Sequence, residues 1–214
     1  MEESPPEDNQ QNGLERVQNS ITDTLEEIST YIEVTGATKI LRRYFAMNAF
    51  DGAMTSLGVV IGAYLSHIHA PRSVIGVILT SGIAMMVSGF SGTYMTESAE
   101  RNHSLNELED AMLINLDDTL YGRASRFVSV FAALVDGSAP FLAAIPSMIP
   151  FLLVPGVIAV ETAYLVSVVA SLATLFTLGV YLGRISGQNI LVNGIKMVVA
   201  GVAVALIALA LNIH

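Results

Sequence analysis

Five apolar runs dominate the sequence, and each is long enough to cross a lipid bilayer. They cover approximately residues 44–67, 74–96, 127–153, 157–182 and 190–213. About 20 apolar residues in a helix span the hydrocarbon core, where every backbone polar group must be paired within the protein. The sequence therefore predicts an all-α, polytopic membrane protein with five transmembrane helices.

The composition agrees with this class and excludes several functions. The chain is 52% hydrophobic and only 14% charged, with a formal net charge of −9, so nucleic acid is not an expected partner. It contains no cysteine, which leaves carboxylate, imidazole, thioether and backbone oxygen as metal ligands. The spans contain no nucleophile–histidine pairing, and no phosphate-binding glycine loop is present. We expect neither an enzyme nor a permanently bound cofactor.

The regions outside the spans suggest five parts. Apolar residues recur at three- and four-residue steps before the first span, which predicts an amphipathic helix lying on the cytosolic face or against its copy in a dimer. Gly36 is the expected end of that helix. The predicted parts are a disordered acidic tail (1–13), the amphipathic helix (14–38), transmembrane helices 1 and 2 (39–96), a cytosolic acidic segment (97–126) and transmembrane helices 3 to 5 (127–214).

Basic residues near the ends of the spans predict the orientation in the membrane. Lys39, Arg42 and Arg43 precede the first span, and further arginines follow the second and fourth, whereas Arg72 stands alone on the opposite side. The positive-inside rule places the N-terminus in the cytosol and the C-terminus outside. The first 13 residues do not resemble a signal peptide. A short chain without a targeting sequence predicts a prokaryotic plasma membrane.

One carboxylate, Asp51, lies inside the first apolar run. An aspartate in the middle of a membrane costs at least about 2.5 to 3.5 kcal/mol, so we expect it to face a protein interior or a wet cavity. We interpret the first span as the gate-lining helix of a transporter. Met85 and Met86 of the second span are candidate thioether ligands for an ion such as Fe(II), although methionine in a helix also serves for packing.

The segment after the second span has the densest group of acids, and these recur every three or four residues. A continuous helix would place them on one face, where a bound cation would offset their mutual repulsion. Alternatively, Ser104 and Glu107 form a capping box that begins a new helix over 105–120. A solvated acidic helical hairpin without metal is the simplest interpretation. The candidate ligands are Glu97, Glu100, His103, Glu107 and Asp110.

Two further acids are candidates for proton coupling beside Asp51. Asp136 lies within the third span and is followed by glycine, as Asp51 is. Glu161 lies near the outer end of the fourth span, where it serves either proton coupling or the wet interface. His67 and His69, in the turn after the first span, are either an exit-side metal site or loop histidines without a role.

Three segments resemble the vacuolar iron transporter family, which includes nodulin-like members. They are residues 50–55 (FDGAMT), 92–100 (GTYMTESAE) and 137–140 (GSAP), and the likeness extends roughly from residue 44 to the C-terminus. The resemblance implies a five-helix divalent metal exporter that works as a homodimer with its pore between the protomers. It implies movement of Fe(II), and in some members Mn(II), Co(II) or Zn(II), out of the cytosol in exchange for protons.

The resemblance also implies roles for particular residues. Asp51 corresponds to a pore-lining aspartate, and Glu100 corresponds to one of the cytosolic glutamates that collect metal. A methionine of the second span lines the pore in the family, but alignment on Tyr94 places Gly89 there, with Met85 one helical turn earlier. The implied partners are the lipid bilayer, divalent metal ions, protons and a second copy of the chain.

Two other functions are compatible with the sequence. One is a membrane protein that does not transport and whose acidic segment senses or buffers metal or docks a partner. Such a protein has no use for a carboxylate in mid-membrane, so Asp51 favours transport. The other is a transporter of a different cargo, in which the carboxylates serve proton coupling alone.

Overall fold

The computed structural model describes residues 7–154 and 156–212, and this part of the chain contains six helices and no strand. Five of them, α2 to α6, are long and apolar enough to cross a membrane, which confirms the predicted number of spans. The helices are α1 (Glu7–Val34), α2 (Thr38–Leu65), α3 (Pro71–Met112), α4 (Leu120–Leu152), α5 (Val160–Ser186) and α6 (Ile190–Asn212).

Helix α1 is longer at its start than the sequence predicts. It begins at Glu7, inside the segment predicted to be a disordered tail, and residues 1–6 lie outside the described part of the chain. It ends at Val34, and Gly36 adopts a left-handed conformation with φ of 62°, in agreement with the expected stop. The helix reaches the bundle through Tyr31, whose ring packs on that of Phe127 in α4 at 5.4 Å between centroids.

Helix α3 is a single helix of 42 residues, about twice as long as the hydrocarbon core of a bilayer is thick. At about 1.5 Å per residue it is about 63 Å long, whereas the hydrocarbon core is about 30 Å thick. The predicted new helix starting at Ser104 is therefore wrong. No glycine or proline occurs between Thr93 and Met112, so nothing interrupts the backbone ladder to free Ser104 as a cap. We call residues 98–112 the α3 extension.

The connection from α3 to α4 is short and hydrogen-bonded. Leu113 ends α3 in a left-handed conformation, with φ of 55°. The carboxylate of Glu109 accepts a hydrogen bond from the backbone N–H of Leu116 at 2.6 Å, and the Thr119 side chain caps α4. The α3 extension and the first turn of α4 are thus joined by the turn of residues 113–119.

Helix α4 occupies a central position because it packs against α2, α3 and α5. It contains Pro140, Pro146 and Pro150 but continues without interruption from Leu120 to Leu152. The sequence predicts that these prolines kink or interrupt the span, and interruption does not occur. Pro155, which the sequence groups with them, lies outside the described residues.

Each of the two Asp-Gly pairs marks a close crossing of helices. A Cβ atom on Gly52 of α2 would overlap the backbone carbonyl oxygen of Pro140 in α4. A Cβ atom on Gly137 of α4 would lie 2.7 Å from the carbonyl oxygen of Met86 in α3. Small residues allow such close approach between membrane helices. These glycines let α4 lie against both α2 and α3.

We expect Gly52→Ala to destabilise the bundle, because the added methyl group forces α2 away from the backbone of α4. Overpacking of this kind costs about 1 to 3 kcal/mol. The measurement is the midpoint of thermal unfolding in detergent. Gly76→Ala is the matched control, since no atom lies within 4 Å of a Cβ built there. Equal midpoints for the two variants would contradict the close crossing.

Candidate functional site

Asp51 lies on a side of α2 that nothing in residues 7–154 and 156–212 covers. Helix α2 contacts α3, α4, α5 and α6, yet the Asp51 side chain is exposed. Its neighbours at four-residue spacing, Met47 and Thr55, are exposed too, and a Cβ atom built on Gly58 or Gly62 would meet nothing within 4 Å. We call Met47, Asp51, Thr55, Gly58 and Gly62 the α2 stripe. A carboxylate at this position is incompatible with bare lipid.

The outer surface of α6 is different in kind. Apart from Lys196, its exposed side chains are aliphatic, as a lipid-facing surface requires. By contrast, exposed positions of α3 next to the α2 stripe include the hydroxyl groups of Ser88 and Ser91. The bundle therefore has one face suited to lipid and another that combines an acid with small and hydroxylated residues. The exposed aliphatic residues of α6 include Leu191, Ile195, Val199, Leu206 and Leu211.

Side-chain hydrogen bonds fix the register between α2 and α3, which run antiparallel. The hydroxyl group of Tyr44 donates to Oε1 of Glu97 at 2.8 Å, and Asn48 and Thr93 both donate to Asp136. Continuing this register by one turn brings the Asp51–Gly52 pair opposite Gly89. Gly89 itself lies against α4, since a Cβ atom built on it would be 3.1 Å from Cα of Gly137. At this level α3 therefore has a glycine rather than a methionine.

The two candidate methionines face different neighbours. Met85 and Thr55 line one small cavity between α2, α3 and α4, of about 10 Å³, which is close to the space that one water molecule needs. Met86, in contrast, has its backbone against Gly137 of α4. Of the two, Met85 is the one that shares a cavity with a residue of the α2 stripe.

Asp136 is buried at the junction of three helices, with a side chain only 4% exposed. Its Oδ2 accepts a hydrogen bond from the Thr93 hydroxyl group of α3 at 2.6 Å, and its Oδ1 accepts one from the side-chain amide of Asn48 in α2. Asn48 also donates to the backbone oxygen of Tyr44 at 3.2 Å. Both carboxylate oxygens are paired, so Asp136 links α2, α3 and α4.

Three residues that complete this network are not among the site residues predicted from the sequence: Tyr44, Asn48 and Thr93. Asn48 is the only amide side chain in the first apolar run, and Thr93 lies in the GTYMTESAE segment. These positions are only a weak indication that the two side chains have a role. Uncharged polar residues are common in membrane helices, where they bond to neighbouring helices. Which of them are used depends on packing, which the sequence does not reveal.

Glu97 does not lie on the acidic face where the sequence predicts it. Its side chain is 3% exposed and accepts hydrogen bonds from Tyr44 and from Nε of Arg101, the latter at 3.1 Å. The reason is geometric: a three-residue step turns a helix by about 300°, so the side chains drift by about 60° at each such step. A buried carboxylate also requires partners, and Glu97 has two.

The other predicted ligands are exposed along the α3 extension. Nε2 of His103 lies 3.4 Å from Oε1 of Glu107, and both side chains are largely exposed. Across residues 7–154 and 156–212, no three or more His, Asp or Glu side chains form a group able to hold a metal ion. The exposed carboxylates of a single chain therefore attract cations electrostatically, but they do not form a complete coordination site. The exposed candidates are Glu100, His103, Glu107 and Asp110.

Glu161, His67 and His69 come together at the opposite end of the bundle from the α3 extension. Glu161 lies in the first turn of α5 and is exposed. It lines a cavity of about 250 Å³ that also includes the two histidines of the α2–α3 turn. The structure thus separates Glu161 from Asp51 and Asp136, with which the sequence groups it.

The comparisons with known proteins identify one relative. No family model matches the chain, and no solved structure matches it. The uncharacterized protein MJ0645 of Methanocaldococcus jannaschii is 33% identical over 170 residues, which cover 77% of this chain and 85% of the relative. An identity of this extent over most of both chains establishes common ancestry. The chain therefore belongs to the same protein family as archaeal MJ0645.

Proposed function

We propose that the protein is a divalent transition-metal transporter that works as a homodimer and moves Fe(II), or a similar ion such as Mn(II), Co(II) or Zn(II), out of the cytosol in exchange for protons. The observation that carries the proposal is Asp51, a carboxylate on a membrane-spanning helix with an exposed side chain. In this proposal the N-terminus and the α3 extension lie in the cytosol of a prokaryotic cell.

A second copy of the chain is the simplest way to cover the α2 stripe. In a two-fold symmetric dimer the same surface of each protomer meets itself, so the two Asp51 side chains would approach each other. Two carboxylates in a low-dielectric environment repel strongly unless a cation lies between them. The glycines at 58 and 62 leave space beside the backbone for this approach. Covering the stripe thus creates a cation site.

The expected metal preference follows from the residues near this site. Two Asp51 carboxylates supply hard oxygen ligands, and Thr55 adds hydroxyl groups next to them. Met85, which shares a cavity with Thr55, offers a thioether that favours Fe(II)-like ions over Mg²⁺ or Ca²⁺. The absence of a three-residue metal group among the described residues of one chain agrees with a site that two copies complete.

The α3 extension supplies the ion, and protons release it. Its exposed carboxylates raise the local concentration of cations by charge, and the helix leads directly into the membrane beside Asp51. Protons and metal compete for carboxylate ligands, so protonation of Asp51 from the opposite side weakens binding. Both carboxylate oxygens of Asp136 are already paired. We therefore assign Asp136 a role in helix packing rather than in proton exchange. Glu161 remains a candidate for proton entry.

The resemblance of residues 50–55 and 92–100 to the vacuolar iron transporter family supports this assignment. In that comparison Asp51 lines the pore and Glu100 belongs to the metal-collecting region. Both positions are exposed. Glu97, which the helical pattern alone suggested as a ligand, is instead buried, and the proposal therefore assigns collection to Glu100, His103, Glu107 and Asp110.

The first test is Fe(II) flux into proteoliposomes with an imposed pH gradient. We expect Asp51→Asn to lower the rate by about tenfold or more, equivalent to about 1.4 kcal/mol in the barrier, because the variant removes charge without changing size. Asp118→Asn, at an exposed acid in the turn before α4, is the control and should transport normally. Native flux in Asp51→Asn would contradict the proposal. If the unaltered protein binds metal but transports none, a sensor or buffer is the correct class.

The dimer interface is testable because the chain has no cysteine. A disulfide requires Cα atoms about 4.4 to 6.8 Å apart. We expect single Thr55→Cys or Met47→Cys variants to form crosslinked dimers in the membrane on mild oxidation, because the α2 stripe lies near the two-fold axis. Val199→Cys, on the exposed face of α6, is the control and should stay monomeric. Crosslinking at position 199 alone would place the interface elsewhere.

Glu97 and Glu100 should respond differently to removal of their charge. Glu97→Gln leaves Arg101 without its carboxylate, and loss of a buried partner costs about 1 to 3 kcal/mol, so the unfolding midpoint should fall. Glu100→Gln should leave the midpoint unchanged. It should raise the Fe(II) concentration for half-maximal flux up to about fivefold, since an exposed charge interaction contributes about 0.2 to 1 kcal/mol. The reverse pattern would contradict the assigned roles.

A further inference from the structure

The α2–α3 turn end of the bundle carries a groove and a polar pocket of which the transport proposal uses only Glu161, as a candidate for proton entry. The groove lies between α2, α5 and α6 and has a volume of about 470 Å³. The pocket, of about 250 Å³, lies between the α2–α3 turn and the start of α5. The two share four lining residues: Tyr64, Leu65, Glu161 and Tyr164.

The groove is built for an apolar chain. Beyond the shared residues, its walls are aliphatic side chains from three helices. Two of its lining residues, Leu165 of α5 and Leu209 of α6, are themselves exposed, so the groove is continuous with the outer surface of the bundle. An apolar chain from the surrounding bilayer therefore has direct lateral access. The aliphatic lining residues include Ile61, Leu165, Val168 and Leu209.

The lining of the polar pocket suits a lipid head group that carries a cationic group next to a phosphate. Within the described residues, Glu161 has no basic side chain within 4 Å, so its charge is available to a ligand. The rings of Tyr64 and Tyr164 stand edge to face beside it, 5.4 Å apart between centroids. A carboxylate with aromatic rings favours an ammonium group. His67 and His69 carry ring N–H groups that can donate to a phosphate.

The pocket is held in place by hydrogen bonds that do not involve a ligand. The Tyr164 hydroxyl group donates to the backbone oxygen of Ile68 at 2.6 Å, which ties the α2–α3 turn to α5. The turn itself is a Schellman motif, in which Ile68 N–H bonds to Ala63 O and His67 N–H bonds to Tyr64 O. His67 adopts the left-handed conformation that this motif requires, with φ of 54°. The turn that carries both histidines is thereby fixed against α5 at the rim of the pocket that Glu161 also lines.

We propose that this groove and pocket together bind a membrane phospholipid whose head group carries a primary ammonium, as in phosphatidylethanolamine. One acyl chain lies in the groove between α2, α5 and α6, and the ammonium group pairs with Glu161 beside the two tyrosine rings. The phosphate accepts hydrogen bonds from His67 and His69. Anionic lipids without the ammonium group are disfavoured, because Glu161 repels them and the chain is acidic overall.

The absence of tryptophan from the chain permits a direct test. Leu206→Trp introduces one fluorophore on the exposed side of α6, next to the groove residue Ala205. The protein is reconstituted in nanodiscs made of phosphatidylethanolamine and phosphatidylglycerol, with bromine on the acyl chains of only one of the two at equal mole fraction. Bromine quenches the fluorophore only when that lipid is adjacent.

We expect brominated phosphatidylethanolamine to quench Leu206→Trp at least about twofold more than brominated phosphatidylglycerol, a preference of the size that one cation–π contact provides. The control Val199→Trp, on the same helix away from the groove, should be quenched equally by both. Adding Glu161→Gln to Leu206→Trp should abolish the preference, and its exposed position leaves folding intact. Equal quenching of Leu206→Trp by the two lipids, or a preference that survives Glu161→Gln, would overturn the proposal.

Discussion

The exclusion of unpaired charge from the membrane is the constraint on which this structure depends. Two acids satisfy it inside the chain: Asp136 accepts hydrogen bonds from Asn48 and Thr93, and Glu97 is bound by Tyr44 and Arg101. These bonds tie α2, α3 and α4 into one unit. Asp51, on the same helix as two of the donors, is exposed. The contrast between acids that are paired within the chain and one that is not underlies the proposed function.

The length of α3 connects the membrane part of the protein to the acids outside it. One continuous helix runs from the α2–α3 turn, past the level of Asp51, to the α3 extension with Glu100 and Glu107. A continuous helix has no joint at Ser104, so the exposed acids keep a fixed distance from the part of α3 that lies at the level of Asp51. Collection and conduction would then be arranged along a single rigid element, with buried Glu97 anchoring it at the membrane boundary.

Hydropathy predicted the five spanning helices well, because a bilayer leaves few alternatives to a helix for an apolar run of that length. It did not predict the environment of individual acids. Asp51-Gly52 and Asp136-Gly137 look alike in sequence, but the second aspartate is surrounded by three helices and the first is not. Periodicity misplaced Glu97 because angular drift separates it from Glu100. The helix start predicted from the capping pattern at Ser104 does not occur, because no glycine or proline ends the preceding helix.

In the proposed dimer two chains share one metal site at Asp51, and the ratio of bound metal to protein distinguishes this site from one within a single chain. The measurement is equilibrium binding of Co(II) to the purified, reconstituted protein in which Glu100, His103, Glu107 and Asp110 are replaced by neutral residues, so that the exposed acids of the α3 extension do not contribute. We expect one ion per two chains, with binding lost on further replacement of Asp51 by Asn. One ion per chain, or binding that persists without the Asp51 carboxylate, would contradict the account.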